Sequence, residues 1–341
     1  MKLLAVSDPF IPETPMTRGL APLKERGIDV TVRPWPLPDI ETLQNINLAV
    51  ELGGPEAVPT PLEVFNGAED TEVLVVQFFP VPRAVFDKLP NLKLVCVLRG
   101  GLENIDLDAA REKGVTVLNT PGRNARAVAE FTVGMMLAET RNIARCHAAM
   151  KQNVWLKEFP NSSFIPEISG KTIGFVGFGH IGKLVAQFLS GFGCTFLIYD
   201  PFIKDVPAGA RTVPLNDLMR ESDIITIHAR LVPETRHLVG EKQIALMKPS
   251  AVIVNTARSG LLDQDALVRA LRERRITGAA LDVFDREPIP MDDPIMALDN
   301  VTMTSHAAGT TDDAFYGSPV LCAGHIGNWL DGKEALLPRV A

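Results

Sequence analysis

In the C-terminal half of the chain, three polar groups each follow an apolar run of β-forming residues. They are Asn255-Thr-Ala-Arg258-Ser-Gly260, Asp282-Val-Phe-Asp-Arg-Glu287-Pro288 and Thr304-Ser-His306-Ala-Ala-Gly309. An arginine can grip a carboxylate bidentately, a histidine exchanges protons near neutrality, and a glutamate beside it keeps the imidazole charged. Reducing a carbonyl next to a carboxylate needs those three roles, provided a hydride comes from elsewhere. Taken singly, each residue has a duller meaning. A strand-end arginine is often a surface ion pair worth little, a Glu-Pro is often a turn, and an isolated histidine is usually structural. His147, His237 and His325 are assigned to structure or surface on that ground. For His306 together with Arg258 and Glu287, catalysis outweighs those readings.

A source of hydride is written further upstream. Lys171-Thr-Ile-Gly-Phe-Val-Gly177-Phe-Gly179-His180-Ile181-Gly182 reads as a short strand, three glycines in GxGxxG spacing and the start of a helix. Gly177 allows the tight turn, Gly179 lets the backbone approach a pyrophosphate, and Gly182 lets helix pack on strand. The helix start turns free N–H groups and its positive dipole end toward the phosphates. The next apolar run, Cys194–Tyr199, ends in Asp200, 23 residues beyond Gly177. That is the spacing of a carboxylate that bonds an adenosine ribose. Its charge repels a 2′-phosphate, so NAD is favoured over NADP.

Positioning these residues needs strands with helices between them. Runs at 172–177, 195–199, 224–228, 251–256, 278–282 and 301–304 alternate with helix-compatible segments. An earlier series does the same, with strands at Lys2–Val6, Val30–Val32, Val73–Gln77, Leu92–Leu98 and Val115–Leu118 and helices such as Met16–Arg26 and Asp106–Lys113. Such alternation builds parallel sheets. The fold class expected is therefore α/β, with two Rossmann-like parallel-sheet domains, and 341 residues suffice for two. Arg33–Pro38 and Gly53–Pro61 read as loops. Between the series, Ala125–Cys146 reads as one long apolar helix outside both, capped by Asn124 and preceded by the turn Thr120-Pro121-Gly122. A second crossing near Gly309-Thr310-Thr311 returns the last helix, 312–330, to the first domain. The expected division is 1–121 with 312–341, and 122–311.

With 34 basic and 41 acidic residues the formal charge is −7, and no basic block suggests nucleic acid or an anionic membrane. No window approaches the apolar length of a membrane span. Cys96, Cys146, Cys194 and Cys322 are scattered, without zinc spacing, and read as reduced thiols of a cytoplasmic protein with no metal.

Jointly these motifs resemble the D-isomer-specific 2-hydroxyacid dehydrogenases, the family of phosphoglycerate dehydrogenase and glyoxylate/hydroxypyruvate reductase. The resemblance extends to Arg99-Gly-Gly-Leu-Glu-Asn-Ile-Asp106 and to Asn119-Thr-Pro-Gly-Arg-Asn124 with Val128-Ala-Glu130. It implies a nucleotide domain inserted into a flavodoxin-like substrate domain, NAD as cofactor, and a small 2-hydroxy or 2-oxo acid as substrate. Arg258 would hold the substrate's carboxylate and carbonyl, with the N–H groups of Gly100 and Gly101 beside it. His306 would be the acid/base and Glu287 its partner. Gly179, His180 and Ile181 would line the pyrophosphate, Asp200 the ribose, and Thr256, Ala257 and Asp282 the nicotinamide side. His228 and Gly309 would border the cofactor.

Three positions depart from the family pattern. Ser305 replaces a proline, Ser259 replaces a glycine, and Arg99 is not general. Arg99 could anchor a second charge on the substrate or pair with Glu103 or Asp106. A homodimer is expected from the family and from the apolar helix Ala125–Cys146. The competing class is an NAD(H)-sensing binding protein or corepressor on the same fold. Formate dehydrogenase fits less well, since Glu287 has no proton donor to support there.

Overall fold

The computed structural model describes residues 1–163, 165–338 and 340. The chain divides into two compact units, Met1–Asn124 with Thr310–Ala341, and Ala125–Gly309.

In the first unit, β1 (Lys2–Ser7), β2 (Asp29–Pro34), β3 (Val73–Val76), β4 (Leu94–Val97) and β5 (Thr116–Asn119) form one parallel sheet in the order β2-β1-β3-β4-β5. Leu3 pairs with Val30 on one side and Val73 on the other. Every residue of β3 and β4 is buried. That is why those strands read as unbroken apolar runs, with helices covering both faces. Successive side chains point to opposite faces. Leu74, Val76, Val95 and Val97 therefore pack with Phe65, Phe79 and Phe86. Val73, Val75, Leu94 and Cys96 pack with Leu20, Leu23, Phe315 and Ile326. Helix Glu13–Glu25 lies against helix Asp312–Leu330. At their contact a Cβ on Gly19 would come within 2.5 Å of Pro319 Cβ, so the two backbones approach only because residue 19 is glycine.

The second unit carries seven parallel strands: β6 (Thr172–Val176), β7 (Thr195–Tyr199), β8 (Ala210–Thr212), β9 (Ile224–Ile227), β10 (Val252–Asn255), β11 (Gly278–Leu281) and β12 (Val301–Met303). Their order is β12-β11-β10-β9-β6-β7-β8. Both sheets are of the doubly wound parallel type expected from the βα alternation, and ligands bind such sheets beyond the carboxyl ends of the strands. β7, β9, β10 and β11 each end one residue before a polar side chain. Asp200, His228, Thr256 and Asp282 thus all stand just past their strands.

Some expectations are corrected. Ala125–Cys146 is not one helix: Ala125–Thr140 ends, Asn142 takes a left-handed conformation (φ 58°), and a new helix runs Ile143–Lys151. Asparagine tolerates that conformation. Its Nδ2 also donates to Asn161 Oδ1 at 2.7 Å, which fixes the corner. Nor does Ala125–Thr140 stand outside both series. Its Ala129, Met135 and Met136 pack with Phe175, Val252, Val254 and Ala280 as a cover of the second sheet. Two elements lack a clear apolar period and so give no signal in the sequence. One is the short polar edge strand β8, and the other is helix Ile40–Gly53, started by Asp39 accepting from Thr42 N at 2.7 Å.

Candidate active site

The glycine turn of the second unit is shaped as its spacing requires. Gly177 has φ 90°, and a Cβ there would lie 2.6 Å from Ala229 Cα and 2.7 Å from the carbonyl carbon of His228. Gly182 packs its Cα 's free side toward Gly177 O, where a Cβ would lie at 3.0 Å. Around Gly179, by contrast, no described atom lies within 4 Å of the Cβ position, so that flank is open to a ligand. Gly179 also caps helix His180–Leu189 with no side chain bonding its first turn. The N–H groups around His180, Ile181 and Gly182 are thereby left for an anion. Asp200 Oδ2 accepts from Phe178 N at 2.7 Å and Oδ1 from Phe202 N at 2.8 Å. A carboxylate has about four acceptor sites, so two remain for ribose hydroxyls. Turn, helix start and carboxylate together fit a dinucleotide.

His228 Nε2 bonds Thr226 Oγ1 at 2.9 Å, while Nδ1 is buried without a partner among the described residues. Burial pulls this imidazole down to about 3, so at neutral pH it is uncharged and suited to bordering a ligand rather than giving a proton.

At the ends of β10, β11 and β12 the catalytic candidates are held by their neighbours. Asn255, buried, accepts from Ala257 N at 3.0 Å and donates to Arg258 O at 3.0 Å. This staple sets the turn from which Arg258 projects. The guanidinium donates to Ala257 O at 2.8 Å and keeps its other N–H groups for an anion. Thr256 Oγ1 bonds Thr132 Oγ1 at 2.7 Å. Asp282 is fully buried: Oδ1 accepts from Thr304 Oγ1 at 2.6 Å and Ala307 N at 2.9 Å, and Oδ2 from Ala308 N at 2.9 Å. Its carboxylate thus holds the loop that carries His306 and leads to Gly309.

His306 has φ 55°, a conformation uncommon outside glycine, stored where the surroundings enforce it. Its Nδ1 lies 2.7 Å from Glu287 Oε2, and Glu287 Oε1 accepts from Phe284 N at 2.9 Å. The carboxylate, fixed by that second bond, makes Nδ1 the protonated nitrogen and leaves Nε2 to face a substrate. The bond from Glu287 raises the imidazole above its ordinary value, against partial burial and the charge of Arg258. Burial pushes Glu287 up, but the bonds from His306 and Phe284 N outweigh it and hold the carboxyl below its usual range. The second unit therefore brings together Arg258, Glu287 and His306, and adds Asn255 and Thr304, which the sequence reading left without a role. An Asn two residues before a turn N–H is a local signal that could have marked Asn255.

Arg99, Gly100 and Gly101 belong to the first unit, just past β4. Arg99 donates to Asn47 Oδ1 at 2.6 Å, Glu51 Oε1 at 2.7 Å and Glu103 Oε2 at 3.2 Å. Of its two possible roles, the ion pair with Glu103 is the one seen, reinforced by Glu51. Asn119 Nδ2 donates to Gly100 O at 2.7 Å, so the end of β5 holds the Gly100 loop.

Residues 133–308 match the family described as D-isomer specific 2-hydroxyacid dehydrogenase, NAD binding domain. The chain is 41% identical over 298 residues to a D-3-phosphoglycerate dehydrogenase of Methanocaldococcus jannaschii, covering 85% of this chain and 56% of the relative. It thus spans little more than half of that protein's length. With a glyoxylate reductase of Korarchaeum cryptofilum it shares 36% identity over 269 residues, 77% of this chain and 81% of the relative. A solved structure of D-lactate dehydrogenase with NAD+ from Lactobacillus jensenii is 26% identical, with a TM-score of 0.76 over 99% of each chain.

Proposed function

Because the chain belongs to the D-isomer-specific 2-hydroxyacid dehydrogenase family, we propose that it interconverts a small D-2-hydroxy acid and its 2-oxo acid. The observation that carries this reading is the 2.7 Å contact of His306 Nδ1 with Glu287, in the same unit as Arg258 and the glycine turn. NAD, when bound, supplies or accepts the hydride. Gly177, Gly179, His180, Ile181 and Gly182 hold its pyrophosphate and Asp200 its ribose. Thr256, Ala257, His228 and Gly309 border the nicotinamide side. Asp282, with all three donors drawn from the His306 loop, positions that loop.

Arg258 binds the substrate carboxylate and draws electron density from the carbonyl oxygen. His306 Nε2 delivers a proton to that oxygen during reduction and recovers it from the hydroxyl during oxidation. Glu287 stabilises the imidazolium form. In the first unit, Gly100 and Gly101 are assigned to substrate binding through their N–H groups, and Arg99 stiffens their loop through Glu51 and Glu103. Relatives named for glyoxylate, hydroxypyruvate and 3-phosphoglycerate bound the substrate class.

We further propose a homodimer in the cytoplasm. Helix Ile143–Lys151 buries none of its residues and exposes Met150, and Val154 and Trp155 beyond it are exposed as well, Trp155 by 72%. The four cysteines are unpaired, as in a reducing compartment. Among the described residues no helix is long and apolar enough to cross a membrane. The deciding assay is NADH oxidation against a panel of 2-oxo acids. NADH binding without turnover on any of them would favour an NAD(H)-sensing protein.

A further inference from the structure

At the carboxyl edge of the first unit's sheet lies a cation that the reading above does not use. Arg123 sits four residues beyond β5, in the loop tied to the Gly100 loop by Asn119 and by Thr120 N donating to Arg99 O at 3.1 Å. Pro121 Cα lies 3.9 Å from the Cβ position of Gly100, so the two loops are in contact. The Arg123 guanidinium stacks over Phe315 at 4.9 Å. Among the described residues its one hydrogen bond, to Ala314 O, is stretched to 3.5 Å. Among the described residues no carboxylate forms an ion pair with it. Arg99 stacks in a similar way over Phe78, at 5.1 Å, yet is neutralised by Glu51 and Glu103. Phe10 joins the two, stacked on Phe315 at 4.6 Å and edge-on to Phe78 at 6.0 Å.

The acid that acts on Arg123 is Asp8, just past β1. Its Oδ1 accepts from Phe10 N at 2.9 Å and Ile11 N at 3.0 Å, and its Oδ2 is buried with no partner among the described residues. Burial raises Asp8 to about 6, and among the described residues it forms no ion pair with Arg123. Burial, aided by the charge of Arg99, pulls Arg123 down to about 10. A half-buried guanidinium that feels the charge of Arg99 and has no paired carboxylate among the described residues is costly unless an anion completes it. The sheet order reverses between β1 and β3, and a crevice at such a reversal is where doubly wound sheets take ligands.

We propose that Arg123 is an anion site of the first unit that selects a doubly charged acid, taking a carboxylate or a phosphate group of it. The planar fork matches either group, and the phenylalanines fix its plane. The identity of this ligand as a 2-oxo acid rests on the dehydrogenase reading; the cation site itself does not.

The test compares the wild type with Arg123→Gln and Arg123→Lys on glyoxylate and pyruvate, on oxaloacetate and 2-oxoglutarate, and on phosphohydroxypyruvate. The wild type should prefer the doubly charged acids, and whether dicarboxylate or phosphate leads identifies the group. In Arg123→Gln the ratio of kcat/KM for the doubly over the singly charged acids should fall about 10- to 100-fold, the loss of a charge-assisted hydrogen bond. That fall should appear in KM rather than kcat. Arg123→Lys, which keeps the charge and guards against a folding failure, should lose a smaller part of the ratio. An unchanged ratio in both variants overturns the proposal. In parallel, 2-oxoglutarate should raise the Tm of the full chain in an Arg123-dependent manner. If no 2-oxo acid is turned over, the dehydrogenase reading fails, and this second measurement still decides: Arg123-dependent stabilisation sustains the site, and its absence removes it.

Discussion

At the scale of single residues, the site's chemistry depends on which atom holds a proton. His306→Asn removes the acid/base without touching the glycine turn. Turnover should drop by about 10²–10⁴-fold, with NADH affinity, read by fluorescence titration, nearly retained. Because Glu287 raises the imidazole, the charged form persists to higher pH than in an unpaired histidine. Reduction should therefore fail as pH rises through that raised value, and oxidation as pH falls through it. The stability this bond adds has the same sense: present below the ordinary imidazole range, lost as pH rises through the raised value. In Glu287→Gln both limbs of the pH–rate profile should move to lower pH, and a profile that stays in place would falsify the pairing. Asp200 bears on coenzyme choice. Asp200→Ser removes the charge facing a 2′-phosphate and should narrow the NAD over NADP preference by about tenfold or more, given a few kcal/mol between close charges at a protein surface. The bond to Phe178 N would also weaken, so NADH should bind less tightly. Equal use of NADPH by the wild type would remove Asp200 from the ribose.

At the scale of elements, the second unit's site is a set of strand ends with short tethers. Asn255 fixes the turn after β10, Asp282 ties the end of β11 to the loop after β12, and Gly177 bends the chain between β6 and its helix. Each tether is a backbone device that carries a side chain to a set place. Gly177→Ala tests how much the turn tolerates. A Cβ there meets the backbone of Ala229 and His228, which cannot swing away as a side chain could, and φ 90° is unfavourable for alanine. The variant should lose NADH binding and lose stability, read as a lower Tm, of the size of other backbone-strain substitutions, roughly 1–3 kcal/mol in free energy. A Tm and NADH affinity equal to wild type would mean that the turn relaxes freely. At Asn142 a single left-handed residue redirects the chain out of the helix that covers the second sheet.

For the whole molecule, the surface beyond that corner bears on assembly. Helix Ile143–Lys151 and the segment with Val154 and Trp155 leave large apolar side chains in water, which favours burial against a second copy. Light scattering should give about twice 37.1 kDa for the wild type. Trp155→Glu should shift that mass toward the monomer, and a wild-type mass that stays at one chain at all concentrations rejects the dimer. Much of this protein is legible in its sequence, because hydrophobic period and glycine spacing are local. The βα alternation, the turn at Gly177, and the placing of Arg258, Glu287 and His306 after strands all follow from residues near them in the chain. Local patterns do not say which distant groups meet. Glu287 reaches His306 across 19 residues, Arg99 is neutralised by Glu51 across 48, and Asp282 receives Ala308 N across 26. Those meetings depend on the order of strands in each sheet, which no periodicity encodes. The break at Asn142 was hidden because the apolar spacing continues through it, and helix Ile40–Gly53 because its apolar stripe is thin. Hence Arg99 and Arg123 look alike in sequence, two arginines beside glycines. Among the described residues the fold gives Arg99 two ion-paired carboxylates and Arg123 none, and that difference separates a structural cation from the one proposed to take an anion.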